Sequence, residues 1–286
     1  MLAIASDFCG ESRNSAEIKN SLEKIASTGF SHVHWCHEWT GTYLYSFHEM
    51  LQIREWCGKL GLAVKGIHAS SGEYNCDLKN YISPNDYSRL AGIELVKNRI
   101  DLAHYLDAKA IVLHLYLPRQ YFKTKKDREF FFRPVLKSFD ELEPYCKIRK
   151  IKICIENLFE YPPEHTCYMY DTLFSRYDED YMGLCFDTGH ALMACGKNSL
   201  EYARRYSDRL FMIHIHDNAG ERDEHLIPFE GKFDWEGFAP ILARSPYQFP
   251  IVIESNSKKT GDDLTWLSKA FKAGRKFSSM VEKHRG

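Results

Sequence analysis

The sequence predicts an α/β chain folded as a single (β/α)8 TIM barrel, and three observations carry that expectation. Short apolar or β-branched runs alternate with longer segments of helical character, the mark of βαβ units with parallel strands. Eight such runs follow one another with no Pro/Gly/Ser-rich linker, so residues 1–286 read as one domain. Most runs end in His, Asp or Glu just past the apolar stretch, which in a closed barrel places those groups around one mouth. An open doubly wound sheet for a dinucleotide is disfavoured, because no G-x-G-x-x-G follows the first run.

In chain order the predicted strands are LAIASDF at 2–8, HVHWCHE at 32–38, AVKGIHA at 63–69, AIVLHLY at 110–116, KICIENL at 152–158, GLCFDTGH at 183–190, LFMIHIHDN at 210–218 and PIVIESN at 250–256. The segments between them read as helices. In the longest, Asn85 and Asp86 are capping residues, and Ile93, Val96, Ile100 and Ala103 share one helical stripe. Two stretches break the pattern: LPRQYFKTKKDREFFFRP at 117–134 and AGERDEHLIPFEGKFDW at 219–235. Both are expected to be loops at the functional mouth, serving as lids or substrate walls. For the first, a solvated basic face with Phe130–Phe132 packed on the barrel is an equal expectation.

Composition excludes several classes. With 44% hydrophobic and 27% charged residues the chain has ample material for a core, and disorder is not expected. A formal charge of −1 provides no global field for nucleic acid or anionic membrane. Nine cysteines form no CxxC pair, which suggests reduced thiols and a cytoplasmic location. The start MLAIASDFCGES lacks a signal-peptide pattern, and no apolar stretch approaches a membrane span, so no membrane partner is expected.

The runs end at Glu38, His68, Glu156, Asp187, His214 and Glu254, with His114 similarly placed in the fourth. Glu156, Asp187, His214 and Glu254 close four successive strands, and in a barrel successive strand ends are neighbours. Three carboxylates gathered there would repel one another and take up protons. A divalent cation resolves the conflict, and a Glu/Asp/His set suits Zn, Mn or Mg. His214 and His216 lie on one face of their strand, so either is a candidate ligand; His214 aligns better with the other strand ends.

Five pieces extend this pattern: Ile155-Glu156-Asn157, Phe186-Asp187-Thr188-Gly189-His190, His214-Ile215-His216-Asp217-Asn218, Asp223-Glu224-His225 and Ile253-Glu254. Together they resemble the xylose isomerase-like TIM-barrel superfamily over essentially the whole chain. That superfamily includes sugar-phosphate isomerases, ketose epimerases and the endonuclease IV family. In the isomerase and epimerase branch, the resemblance implies that Glu156, Asp187, His214 and Glu254 hold one divalent metal (Mn, Zn, Mg or Co). Glu156 and Glu254 would also exchange the substrate proton, and His190 would bind a substrate oxygen. From the residues alone, His190 is equally a group that orients Asp187. The expected reaction is isomerisation or epimerisation of a small-molecule sugar, sugar phosphate or related polyol, through an enediolate left when a carboxylate removes the proton α to a carbonyl.

The endonuclease IV branch uses three zinc ions, and His68, His114, Glu156, Asp187, His190, His214, Asp223, His225 and Glu254 supply a residue for each ligand position. The alternative it implies is a zinc phosphodiesterase acting on abasic DNA, the one reading with a nucleic-acid partner. Local motifs depart from that branch: Asn-Leu-Phe-Glu-Tyr replaces a Gly-rich turn after Glu156, Gly189 stands where Cys is expected, and His216-Asp217-Asn218 replaces Asn-Asp-Ser-Lys. A dehydratase using the same metal is a further alternative. Substrate-binding candidates are His190, His216, Arg222 and Trp35, with Trp35 and Trp39 forming a wall or packing internally. His32 and His34 share a face opposite His37, and His34 or Glu38 is a candidate for substrate contact. Self-association is left open.

Overall fold

Parallel strands buried on both faces need apolar side chains throughout, which is why each strand occupies the apolar part of its run and ends where polar residues begin. The computed structural model describes all residues except 11, 13, 38–42, 70–79, 258–261 and 286. In order the elements are β1 (Leu2–Ala5), α1 (Ser15–Ser27), β2 (His32–Trp35), α2 (Phe47–Lys59), β3 (Ala63–His68), α3 (Asp86–Tyr105), β4 (Ala110–Leu113), α4 (Lys125–Arg149), β5 (Lys152–Glu156), α5 (Pro163–Arg176), β6 (Met182–Asp187), α6 (Thr188–Cys195), α7 (Glu201–Arg205), β7 (Leu210–Ile215), α8 (Trp235–Arg244), β8 (Ile251–Ile253) and α9 (Asp263–Arg285). The strands close into a barrel in sequence order, with β1 pairing β8. Asn85 caps α3 by accepting from the amides of Tyr87 and Ser88, and the predicted stripe Ile93, Val96, Ile100 and Ala103 is buried.

Alternation along the strands builds two layers. Outward residues such as Ile4, Val33, Ile67, Ile153, Leu184, Ile213 and Ile253 pack under the helices. Inward residues Ala3, Ala110, Val112, Cys154, Cys185, Met212 and Val252 form a separate apolar plug inside the barrel. The two-residue period then sets the next inward residue above the plug: His114 above Val112, Glu156 above Cys154, Asp187 above Cys185, His214 above Met212 and Glu254 above Val252. The polar ring therefore rests on a largely apolar floor.

Residues 117–134 correct the expectation of a loop. A short 3-10 turn at Arg119–Phe122 leads directly into α4, whose start is fixed by a capping box between Thr124 and Asp127. Pro134 lies inside the helix. An interior proline costs about 3 kcal/mol, which burial of Phe131, Phe132 and Val135 offsets. Phe130 is 52% exposed, so two of the three phenylalanines pack inward.

Residues 219–235 remain irregular, as expected, and Asp217 organises them. Its buried carboxylate accepts from the amides of Asn218 (3.0 Å), Phe229 (3.1 Å) and Phe233 (3.1 Å) and from Trp235 Nε1 (2.9 Å). A Cβ on Gly231 would collide with the Asn218 carbonyl and this carboxylate, so the chain closes there only with glycine. Among the described residues no helix is long and apolar enough to cross a membrane.

Candidate metal centre

Glu156 and Asp187 are the last residues of β5 and β6, His214 is the penultimate residue of β7, and Glu254 directly follows β8. Asp187 pairs in register with His214. Asn157 locks the ends of β5 and β6 together, donating to the Asp187 carbonyl and accepting from its amide, both at 2.9 Å. One oxygen of Asp187 caps α6, accepting from the His190 amide at 2.7 Å, and the same oxygen lies 3.0 Å from His216 Nε2. Its other oxygen, Oδ2, is buried without a hydrogen-bond partner.

His214 Nδ1 lies 2.7 Å from Glu254 Oε2 and 3.4 Å from Glu156 Oε2, yet makes no hydrogen bond. Buried polar atoms are normally paired. A nitrogen and a carboxylate oxygen this close and misaligned for a shared proton have the arrangement of two donors to one cation. Ligand atoms from Glu156, Asp187, His214 and Glu254 all fall within 4.8 Å of one another. The four residues thus fit a divalent ion in the mixed N/O donor set they offer.

Among the described residues three further groups meet the same geometric condition, one of them Glu156, Cys185 and His214, which overlaps the first. His68, His114 and Glu156 form another, with His68 Nε2 and His114 Nε2 3.2 Å apart and His114 Nε2 3.3 Å from Glu156 Oε2. His190, His216, Asp223 and His225 form the last. There Asp223 Oδ2 lies 3.0 Å from His225 Nε2 and 3.3 Å from His190 Nε2. All nine residues singled out for a trinuclear centre are therefore gathered at one mouth, with Glu156 shared among three of the groups.

Electrostatics follow from burial and proximity. Burial alone would raise the Glu156 and Glu254 carboxyls, but the adjoining His214 carries both well below the ordinary carboxylate range. Burial would lower His190, and Asp187 instead holds it well above the usual imidazole value. His225 is likewise raised to about 9, its hydrogen bond to Asp223 overcoming burial.

His190 sits against both carboxylates, its Nδ1 3.0 Å from Glu156 Oε1 and its amide donating to Asp187 Oδ1 at 2.7 Å. His216 is fully buried, stacked on His225 with ring centroids 4.1 Å apart, with Nε2 3.0 Å from Asp187 Oδ1. A Cβ on Gly189 would strike the His216 ring, which accounts for glycine in the Asp187-Thr188-Gly189-His190 turn. Of the two readings of Trp35, the structure places it in internal packing and not at a substrate wall. His34 takes the inner face of β2, alternation turns Trp35 outward, and it is buried in the helical layer with Nε1 donating to Tyr45. Arg222 is exposed beside Asp223. Glu38 and Trp39 lie outside the described residues.

Asp7, two residues past β1, was not among the candidates. Burial and then the charge of Glu254 raise its carboxyl to about 6, and His68 and His225 also act on it, which places it at the same mouth. The signal was present: LAIASDF also closes on an acid, so the rule applied to the other runs identifies it.

A family model described as xylose isomerase-like TIM barrel matches residues 22–272. An uncharacterized protein of Sinorhizobium fredii is 35% identical over 253 residues, covering 83% of this chain and 81% of that relative. Among solved structures, a D-tagatose 3-epimerase-like protein aligns over 100% of this chain and 99% of its own, with a TM-score of 0.78 at 21% identity. The IolI protein, solved with a bound zinc atom, aligns over 99% of this chain and 98% of its own, with a TM-score of 0.68 at 15% identity. The structural likenesses bear on the fold, the family model and the 35% relative on descent; on these the chain belongs to the xylose isomerase-like TIM-barrel family.

Proposed function

We propose that the protein is a divalent-metal-dependent isomerase or epimerase of a sugar, sugar phosphate or related polyol. The observation that carries this reading is the convergence of Glu156, Asp187, His214 and Glu254, with Asp187 Oδ2 and His214 Nδ1 buried and unpartnered. These four residues would hold the ion. Polarisation of a substrate carbonyl is the chemistry such an ion supplies when bound.

The rest falls to side chains. Glu156 and Glu254, ending β5 and β8, approach the centre from different strands, so one removes the proton α to the carbonyl and the other returns it. The group that removes the proton acts ionised, the state that His214 favours, and the group that returns a proton must first have taken one up. His190 positions Glu156 and reaches a substrate oxygen, and the apolar plug beneath excludes water from below. The likeness to a D-tagatose 3-epimerase-like protein agrees with this class.

The test is exchange of a substrate C–H proton with deuterated water, followed by NMR over a panel of ketoses and their phosphates. Wild type should exchange one position, and Glu156→Gln and Glu254→Gln should each abolish it; normal turnover by either variant would sink the mechanism.

One observation favours a second reading. The His68–His114–Glu156 and His190–His216–Asp223–His225 groups complete the set for a three-zinc phosphodiesterase. A formal charge of −1 and the departures in local motif weigh against it. About three zincs per chain by elemental mass spectrometry, together with salt-sensitive binding to abasic duplex DNA, would reverse the order of the two.

A further inference from the structure

Within the otherwise apolar interior below the metal-binding face lies His34, on the inner side of β2. It is 1% exposed, and neither ring nitrogen has a hydrogen-bond partner. A neutral imidazole carries one N–H and one lone pair, and burying both unpaired is costly unless something balances it. The neighbouring strand makes room for the ring: a Cβ on Gly66 would approach Nδ1 to 3.1 Å and Cε1 to 3.2 Å. His34 stands edge-on to His214, with ring centroids 4.9 Å apart and planes at 70°.

His214 presents the complementary deficit. Its Nδ1 faces Glu156 and Glu254, while Nε2 is buried without a partner. A metal-ligating histidine ordinarily donates its second N–H to an acceptor, which fixes the tautomer and the ring angle. No carboxylate or backbone carbonyl among the described residues accepts from His214 Nε2. The His214 ring is met by His34 edge-on, by the stacked ring of His68 at 6.0 Å, and by Cys185, whose thiol lies within 4.8 Å of the His214 donor atom.

We propose that His34 is a positioning residue of the metal centre: standing edge-on to His214, it takes the Nε2–H of His214 through one enclosed water, and so holds the tautomer whose bare Nδ1 faces Glu156 and Glu254. The inference rests on the metal reading above and adds the group that keeps that reading's histidine ligand in place. Substrate never reaches His34, so its effect is on the ion.

The experiment measures zinc affinity by competition with a chelator, on wild type and on variants checked for folding by circular dichroism. His34→Phe keeps a buried ring and removes the acceptor; His34→Gln keeps an acceptor. Loss of such a partner weakens metal binding by about 10–100-fold, so His34→Phe should fall in that range and His34→Gln should recover most of it. Long-range 1H–15N NMR on zinc-loaded wild type should show His214 protonated at Nε2, with a solvent-protected proton that exchanges rapidly in His34→Phe. Equal affinity in wild type and His34→Phe overturns the proposal and leaves the metal reading standing. Loss in Cys185→Ala with none in His34→Phe gives the role to the thiol and overturns it too. If His34→Phe does not fold, a wild-type spectrum with His214 protonated at Nδ1 refutes it without a variant. Wild type that binds none of zinc, manganese, cobalt or magnesium fails the metal reading itself.

Discussion

Asp217 offers a direct check on how the loop bearing Asp223 and His225 is held. Asp217→Ala removes an acceptor that satisfies three backbone amides and the Trp235 indole, all within 2.9–3.1 Å. Hydrogen bonds to a charged group contribute about 1.5–3 kcal/mol each. Four of them do not add, because they share one carboxylate and the loop relaxes partly into water. A net loss of about 4 kcal/mol is expected, a fall in Tm of about 8–16 °C at 2–4 °C per kcal/mol. Asp217→Asn is nearly isosteric but turns an NH2 group toward two of the donors, so about half that loss is expected. Thermal unfolding by circular dichroism in excess chelator reads folding alone, and metal titration then reads release of Asp223 and His225 from their places beside His190. An Asp217→Ala protein with the wild-type melting temperature would refute the claim that this carboxylate organises the loop.

Other expectations follow from the same geometry. Gly189→Ala should push His216 off Asp187, costing about 1–3 kcal/mol of stability and about 10–100-fold in metal affinity; a variant matching wild type in both melting and metal titration would show that the turn tolerates a side chain. For the metal-free protein, His225 is raised to about 9 by Asp223, and His190 and His214 also lie above the ordinary imidazole range. A raised histidine contributes stability that is complete below its unfolded value of about 6.5 and is lost as pH rises through the folded one. Melting temperature in chelator should therefore decline from about pH 6.5 to beyond pH 9, and less steeply in His225→Gln; a flat profile would contradict the assigned pairing.

The barrel was legible because its physics is local. Strands buried on both faces must be apolar, strand ends must be polar, and a period of two carries each ligand to the inner face above Cys154, Cys185, Met212 or Val252. The helix through residues 125–134 was not legible. A basic, aromatic stretch closing on Pro134 resembles a loop until the Thr124–Asp127 capping box and the burial of Phe131 and Phe132 are taken together. Trp35 had two readings for a related reason: one residue separates the inner from the outer face, and only strand pairing shows that His34 takes the inner one.

By itself, then, the sequence determined the family, the closed parallel barrel and the gathering of four strand-end groups able to hold a metal, because spacing along a strand translates directly into position around a mouth. Tertiary structure decided the partnerships. That Asp187 spends one oxygen on capping α6 and His216 while leaving the other bare, that His216 stands against Asp187, and that His34 lies edge-on to His214 depend on ring orientations and on distances between strands far apart in sequence. Residue spacing carries no information about those angles; the packing of neighbouring strands and of the loop held by Asp217 supplies it.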